Sequence, residues 1–521
     1  MSRNSSKYLP PLIDYSASVT GVLESRCLEV VDMMAQWEAD NNIRKRAIKA
    51  EDLKNRISSG KMLLDNLYRS WNKNPEATFG VLKHPKWYSH KEEIFGQRIT
   101  HGGIWNFLEY LFAEGFVEKV ADGRKHPDAR YGIPTQIRAT SDIIDILDQG
   151  DINPFDFITT YPQIVLKTDK PSGKEFVIYE KTDLTNAMES KITRINNVLQ
   201  SHWADLAIPH SDLIDLADKG IYLEDKFYRR RKLHRVFNNS TFEDGGRFYG
   251  GWWQGIPSRL RPFITINGKE TVELDYSSIH PRMLYAHIGM ECPDDPYDVG
   301  LDPKYRDLIK KAFNALINAR GRIEQFNNPE DGPVFDEDEI GMSWNEFLKH
   351  IKSYHPKLKG LFGTGIGLKF QRIDSDIAEA TMLHFARQNI PVLPVHDSFI
   401  MHHGYEDELR TVMTKEFENE VDASIPIKID RITPDQKAIR RKHDIERGLY
   451  PNFDPTTSIH EITNDLDVLL DRNHPYGKYE ERLSLFWANR KSSSESLRQE
   501  LKDEQDPKKF ARLELDRLRN K

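Results

Sequence analysis

Two short strand-forming segments, each running into an aspartate, constrain this chain more than any other feature. Thr271-Val272-Glu273-Leu274 alternates as a strand does and delivers Asp275 at its end. Tyr276-Ser277-Ser278-Ile279-His280-Pro281-Arg282-Met283-Leu284-Tyr285 then reads as a turn into a helix. Further on, Pro391-Val392-Leu393-Pro394-Val395 leads to His396-Asp397, and Ser398-Phe399-Ile400-Met401 reads as the returning strand of a hairpin. If these strands are neighbours, two carboxylates meet at one end of a sheet, where they can share two divalent ions roughly 3.5–4 Å apart. Mg²⁺ suits so sparse a site, because it prefers hard oxygen ligands and retains waters and phosphate oxygens; Mn²⁺ is the alternative ion. Alone, two aspartates this far apart in sequence carry no assignment, since most are surface or capping residues.

At 521 residues the chain is too long for one ordinary core, and about two to four domains are expected. With 38% hydrophobic and 30% charged residues and no apolar run of membrane length, it reads as a soluble protein with no membrane partner. Residues 1–7 lack the apolar stretch of a secretory signal, and only Cys27 and Cys292 are available for a disulfide. A reducing, cytoplasmic compartment is expected. The net charge of −7 excludes a uniformly basic coat for nucleic acid but leaves room for a local basic groove. The densest basic cluster, Arg229-Arg230-Arg231-Lys232 with His234 and Arg235 behind it, is expected to track backbone phosphates and make binding salt-dependent. Its ordinary reading is a solvated helix face, as it is for the acidic run Asp336-Glu337-Asp338-Glu339.

Five regions follow from pattern. Residues 1–78 favour helix, with apolar spacing at Val30, Val31, Met34 and Trp37 and no chemical signature. In residues 79–160, Gly103-Ile104-Trp105-Asn106-Phe107-Leu108-Glu109-Tyr110-Leu111-Phe112 has helical periodicity and stops at Gly115. Strands Phe116-Val117-Glu118-Lys119-Val120 and Thr135-Gln136-Ile137-Arg138-Ala139-Thr140 follow, joined by a loop with Gly123, Arg124, Lys125, Pro127 and Arg130. A helix followed by a basic-tipped hairpin resembles a winged helix, in which Arg124, Lys125 and Arg130 reach nucleic acid. The alternative is a small packing unit with a solvated loop. Residues 161–240 are expected to be a helical, thumb-like connector, 241–430 the catalytic core, and 431–521 a charged helical extension.

Between the two acids, Asp302-Pro303 caps a helix with Leu308, Ile309, Ala312, Phe313, Leu316 and Ile317 on one face and Arg306, Lys310 and Asn314 on the other. Four-residue spacing stacks Arg306 and Lys310 on adjacent turns, where two cations can grip a triphosphate. Upstream lies Gln254-Gly255-Ile256-Pro257-Ser258-Arg259, and ahead of the second acid Phe370-Gln371-Arg372-Ile373-Asp374-Ser375-Asp376-Ile377-Ala378. In order and spacing these fragments resemble family A DNA polymerases, the DNA polymerase I group, over about residues 245–430. The resemblance implies an α/β fold of the α+β kind, a right-hand palm and reduced fingers behind a mainly helical N-terminal region. It implies template-directed nucleotidyl transfer by two metal ions. Asp275 and Asp397, with Tyr276, would hold the metals, and Arg306, Lys310, Tyr276, His280 and Asn314 the nucleoside triphosphate. Arg259, Gln371 and His396 would position a nucleic-acid primer-template, DNA in preference to RNA.

The pattern departs from the family in several places. The aromatic-glycine pair that usually ends the fingers helix is replaced by Asn318 and Ala319, and the segment from Asp275 to Arg306 is short for the family. His280 stands where DNA-synthesising members commonly carry a sugar-discriminating glutamate, and His396-Asp397-Ser398-Phe399 is more similar to single-subunit phage RNA polymerases. Nothing before residue 240 reads as a proofreading exonuclease motif, and no Walker loop or paired-cysteine zinc spacing is present. Two rivals therefore accompany a DNA polymerase without proofreading. One is an RNA polymerase, primase-like or untemplated tailing enzyme. The other is a DNA-binding initiator or regulator with a degenerate palm. A small polymerase joined to a DNA-binding domain would suit a plasmid, phage, other mobile element or defence system.

Overall fold

Alternating and helical apolar patterns resolve into two hydrophobic cores. The computed structural model describes residues 12–439 apart from 90–93, 127–128, 150–151, 153–156, 169–174, 203, 207, 209–230, 268 and 329–331. The chain is mixed α/β, and among the described residues no helix is long and apolar enough to cross a membrane.

The first core is built by β1 (Ala17–Val19), α1 (Gly21–Asp40), α2 (Ala50–Lys73), β2 (Phe79–Val81), α3 (His101–Ala113), β3 (Val117–Ala121), β4 (Arg124–His126), β5 (Ala129–Ile133), β6 (Thr135–Ala139), α4 (Ser141–Leu147) and β7 (Phe157–Thr159). Strands β2-β6-β3 form an antiparallel sheet, β4 and β5 a separate two-stranded ribbon, and β1 pairs with β7. Val30 and Met34 of α1, Leu63 and Leu67 of α2, Phe107 and Leu111 of α3 and Ile137 of β6 are buried together. The boundary expected near residue 78 therefore separates no cores: the apolar faces of α1 and α2 are covered by the elements that follow them.

Helix α3 shows how local sequence sets its ends. The Thr100 side chain accepts a hydrogen bond from Gly103 N at 3.0 Å, satisfying one of the first turn's orphan donors. At the other end Gly115 takes φ +72°, so Phe116 N reaches back to Leu111 O and Gly115 N to Phe112 O, at 2.9 and 3.3 Å. Thr100→Ala is expected to cost about 1 kcal/mol, read as a shift in denaturation midpoint.

The second core collects β8 (Ile164–Leu166), α5 (Asp183–Ser201), β9 (Ala204–Leu206), β10 (His234–Phe237), β11 (Gly245–Tyr249), β12 (Ile264–Ile266), β13 (Lys269–Tyr276), α6 (Ile279–His287), α7 (Arg306–Asn318), α8 (Glu337–Ile340), α9 (Trp344–Tyr354), α10 (Gly367–Ala386), β14 (Leu393–Val395), β15 (Ser398–His402), α11 (Glu406–Val421) and β16 (Ile427–Arg431). Its main sheet runs β14-β15-β13-β12-β9, with β16 also paired to β13; a smaller sheet runs β11-β10-β8. The segment expected as a helical connector supplies one described helix, α5, and three strands, and its Ile164, Ile192 and Phe237 sit in this core. It is thus part of the core rather than an appendage to it. The expected helical extension lies outside the described residues beyond 439.

Arg235 corrects the reading of the basic cluster. Its side chain is fully buried, donating from Nε to Gly246 O (2.7 Å), from Nη1 to Glu379 (2.9 Å) and from Nη2 to Ser375 and Asp376 (2.5 and 2.9 Å). It fastens β10 and β11 to α10 and cannot reach nucleic acid. Lys232 is exposed and Arg231 half-buried, while Arg229 and Arg230 lie outside the described residues. Gly246 lies against this clamp at φ +82°, and a Cβ there would meet Phe237 at 2.8 Å and Arg235 Nη2 at 3.0 Å. Gly246→Ala is expected to cost more than about 1 kcal/mol, from the strained backbone and the displaced guanidinium together, measured by chemical denaturation.

Candidate active site

Strand β13 lies between β15 and β16, with Asp275 opposite Ser398 on one side and Lys428 on the other. Because side chains alternate along a strand, Glu273 and Asp275 share one face, while Val272, Leu274 and Tyr276 turn into the core. Cross-strand neighbours share that face, which brings Ser398, Lys428 and Asp430 beside the two acids. Asp397 is the second residue of the two-residue turn between β14 and β15. His396, the first, takes φ +59°, the left-handed geometry a tight hairpin needs. Tyr276 N donates to Asp397 O at 3.4 Å, so the turn is tied to the residue just after Asp275.

The two aspartates are electrostatically coupled. Burial, then the charge of Asp397, pushes the Asp275 carboxyl up from its ordinary range to about 7, with Lys310 working in the opposite direction. Lys310 is exposed on α7, and its charge acts on Asp275. Among the described residues no three His, Cys, Asp or Glu side chains converge to hold an ion alone. Two partly buried carboxylates that repel each other suit Mg²⁺ that draws its remaining ligands from water and phosphate.

Helix α7 buries Leu308, Ile309, Ala312, Phe313, Leu316 and Ile317, the face read from its spacing. Arg306, one turn before Lys310, is exposed and paired with Asp295 at 2.8 and 3.0 Å. Asn314 is half-buried and its Oδ1 has no hydrogen-bond partner among the described residues, whereas Asn318 Nδ2 donates to Asn314 O and Gln371 Nε2 to Asn318 Oδ1. Gln371 is half-buried on α10. Arg259 is exposed on the turn Ser258–Phe263. His396 is exposed, with its ring edge-on to Tyr249 at 5.8 Å. Arg124 and Lys125 are exposed on β4, and Arg130 lies in β5.

Two expectations need correction. The Tyr276 phenol donates to Met413 O at 2.6 Å among Phe399 and Phe417, so its side chain faces the core rather than a nucleotide or a metal. Only its main chain lies at the site. His280 is 8% exposed, and its Nε2 lies 3.0 Å from Asp374 Oδ2, a contact that occupies the ring when Nε2 carries the proton. It is buried against Asp374 and Arg247 and not presented to a ligand.

That network contains residues the sequence reading passed over. Arg247 on β11 donates from Nε to both oxygens of Asp374, at 3.0 and 3.3 Å, and also binds it through Nη2. Burial works against both charges, yet their mutual attraction holds Asp374 below and Arg247 above their ordinary ranges, with Asp397 adding to the effect on Arg247. Arg247 thus places a cation near Asp397. Arg261 donates from Nε to Glu273 at 2.8 Å, and Ser398 Oγ to the same carboxylate at 2.6 Å, so Arg261 rather than Arg259 reaches the acidic face. The period-two spacing of Glu273 and Asp275 was a legible signal. The distant pairing of Arg247 with Asp374 left none.

Arg247→Met would strand a buried carboxylate and is expected to cost about 3–5 kcal/mol at neutral pH. The loss should shrink in acid. Asp374 is depressed in the folded protein, so its stabilisation is present above its unfolded pKa and disappears as pH falls through the folded one. Denaturation midpoints at pH 7 and near pH 2, below the ordinary carboxylate range, check this.

No protein-family model and no curated protein matches the chain. Among solved structures, it is similar to the POL domain of Pol1 from M. smegmatis, in a complex with DNA primer-template and dNTP. Identity is 12% over 73% of this chain and 68% of that one, with a TM-score of 0.27, a superposition too loose to bear on function.

Proposed function

We propose that this protein is a template-directed nucleotidyltransferase, a DNA polymerase without proofreading, with its active site at the end of strands β13 and β15. The observation that carries the reading is the meeting of Asp275 and Asp397 at adjacent strand ends, with the charge of Lys310 on α7 acting on Asp275. Asp275 and Asp397, with the main-chain carbonyl of Tyr276, would hold Mg²⁺, which when bound activates a primer hydroxyl and stabilises the departing pyrophosphate. Lys310 receives the triphosphate. Arg306 joins it by exchanging Asp295 for phosphate, a cheap exchange because exposed ion pairs are worth little. Arg247 and Arg261 set the charge around the acids, and Arg259, Gln371 and His396 flank the path of the duplex. The ribbon carrying Arg124, Lys125 and Arg130 serves, in this reading, as a wing-like contact to nucleic acid.

Ser398 and His280 keep ribonucleotide synthesis as the second reading, since neither position supplies the carboxylate found in DNA-synthesising enzymes. Incorporation of labelled dNTPs and NTPs, with and without a DNA template, separates the two. Template-directed dNTP incorporation is expected. Preferential NTP use, or extension that ignores the template, would replace DNA synthesis with RNA synthesis or tailing.

A further inference from the structure

We infer that the first core carries a second nucleic-acid site, a groove for a single strand formed by the end of α1, the loop after it and α3. This cavity of about 570 Å³ is lined by Met34, Trp37, Ile43, Asn106 and the consecutive cations Arg44, Lys45 and Arg46, with Glu38 and Glu109 as its acids. It lies within one hydrophobic unit, apart from the strands that carry Asp275 and Asp397.

Charge identifies the ligand as an anion. Buried Glu38 accepts from Arg56 Nη2 at 2.7 and 2.8 Å and pairs with Arg44 Nε at 3.2 Å. Two guanidinium groups share one carboxylate, so this trio carries a net positive charge, and its solvent-accessible cation, Arg44, lines the groove. Lys45 and Arg46 add two exposed cations at the rim, neither ion-paired with a described residue, against one further acid, Glu109. The loop therefore offers phosphate-binding charge in excess of its own acids.

Shape and apolar lining point to a base beside that phosphate. Trp37 is half-buried, held from the core side by Tyr110 at a ring separation of 5.6 Å, and it lines the groove with Met34 and with Ile43, which is 55% exposed. An anchored indole beside free cations is the combination that binds single strands, where stacking contributes about 1–3 kcal/mol per base and Lys or Arg track the phosphates. A duplex fits poorly, because its bases are already stacked on one another and cannot enter a pocket of this size. Asn106 on α3 adds an amide that can bond a base edge.

The experiment uses the full chain and a fluorescein-labelled oligo-dT strand, with no nucleotides, read by anisotropy across salt concentrations. Lys45→Gln/Arg46→Gln should weaken binding at least about tenfold and flatten the slope of log affinity against log salt by about 1.4, roughly 0.7 for each phosphate that is no longer neutralised. Both residues are exposed, so the variant's melting temperature should match the wild type. Trp37→Leu, which leaves the charge intact, should weaken binding about fivefold or more in the folded protein without changing the slope. Affinity within twofold of wild type in the double variant would overturn the groove assignment, as would a weakened double variant with Trp37→Leu unaffected, since that pattern means unspecific attraction. Neither outcome bears on the polymerase reading, because no incorporation is measured.

Discussion

Asp275→Asn is expected to lower nucleotide incorporation by at least about a thousandfold while making the metal-free protein more stable above pH 7. The first effect follows from loss of a metal-bridging carboxylate, worth several kcal/mol in the transition state. The second follows from the cost of ionising Asp275 where it is buried and beside Asp397. Its folded pKa is raised to about 7, so between its unfolded pKa and pH 7 the folded state binds a proton that the unfolded state has released. Wild-type stability therefore falls with rising pH across that window and levels off above it. Asn carries no such penalty. Its advantage should be absent near pH 4, grow up to pH 7 and reach about 2–4 kcal/mol. Mg²⁺ should stabilise the wild type at pH 8, lose that effect near pH 5 and leave the variant little changed. Thermal melts across pH, with and without Mg²⁺, check each of these.

Arg235→Met should be the most destabilising change outside the active site, at about 3–5 kcal/mol, because it removes the buried ion pair of Glu379 and leaves that carboxylate paired with the half-exposed Lys191. The substitution also removes the donor to the Gly246 carbonyl and to Ser375 Oγ, where β11 meets α10. Since β11 carries Arg247 and α10 carries Asp374, activity should fall along with stability. The salt dependence of nucleic-acid binding by the folded fraction should stay the same, as Arg235 contacts no phosphate. Denaturant midpoints and binding slopes measured on one preparation distinguish a clamp from a phosphate contact.

Legibility in the sequence followed the range of the interactions. Period-two alternation located β13 and β15, and 3.6-residue spacing located α7 with its buried face, because each pattern reports local geometry facing a core. Asp275, Asp397 and Lys310 became candidates through the family resemblance of the fragments that hold them, and the structure sets Asp275 and Asp397 at neighbouring strand ends. Charge was a poor guide, since Arg235 reads as one more cation of a basic run until α10, far along the chain, supplies the acids that bury it. Arg247 and Asp374 went unread on the same grounds. What the boundary near residue 78 could not show is that the amphipathic faces of α1 and α2 are covered by α3 and β6, beyond it.

Primer extension tests the central claim most directly. Wild type, Asp275→Asn and Asp397→Asn are compared on a labelled primer annealed to a DNA template, with dNTPs and either Mg²⁺ or no divalent ion. The Asp pair as a two-metal nucleotidyl-transfer site requires extension by the wild type with Mg²⁺ alone, and none by either variant. Extension that survives loss of either aspartate, or a wild type inert with every nucleotide, template and ion tried, would contradict it.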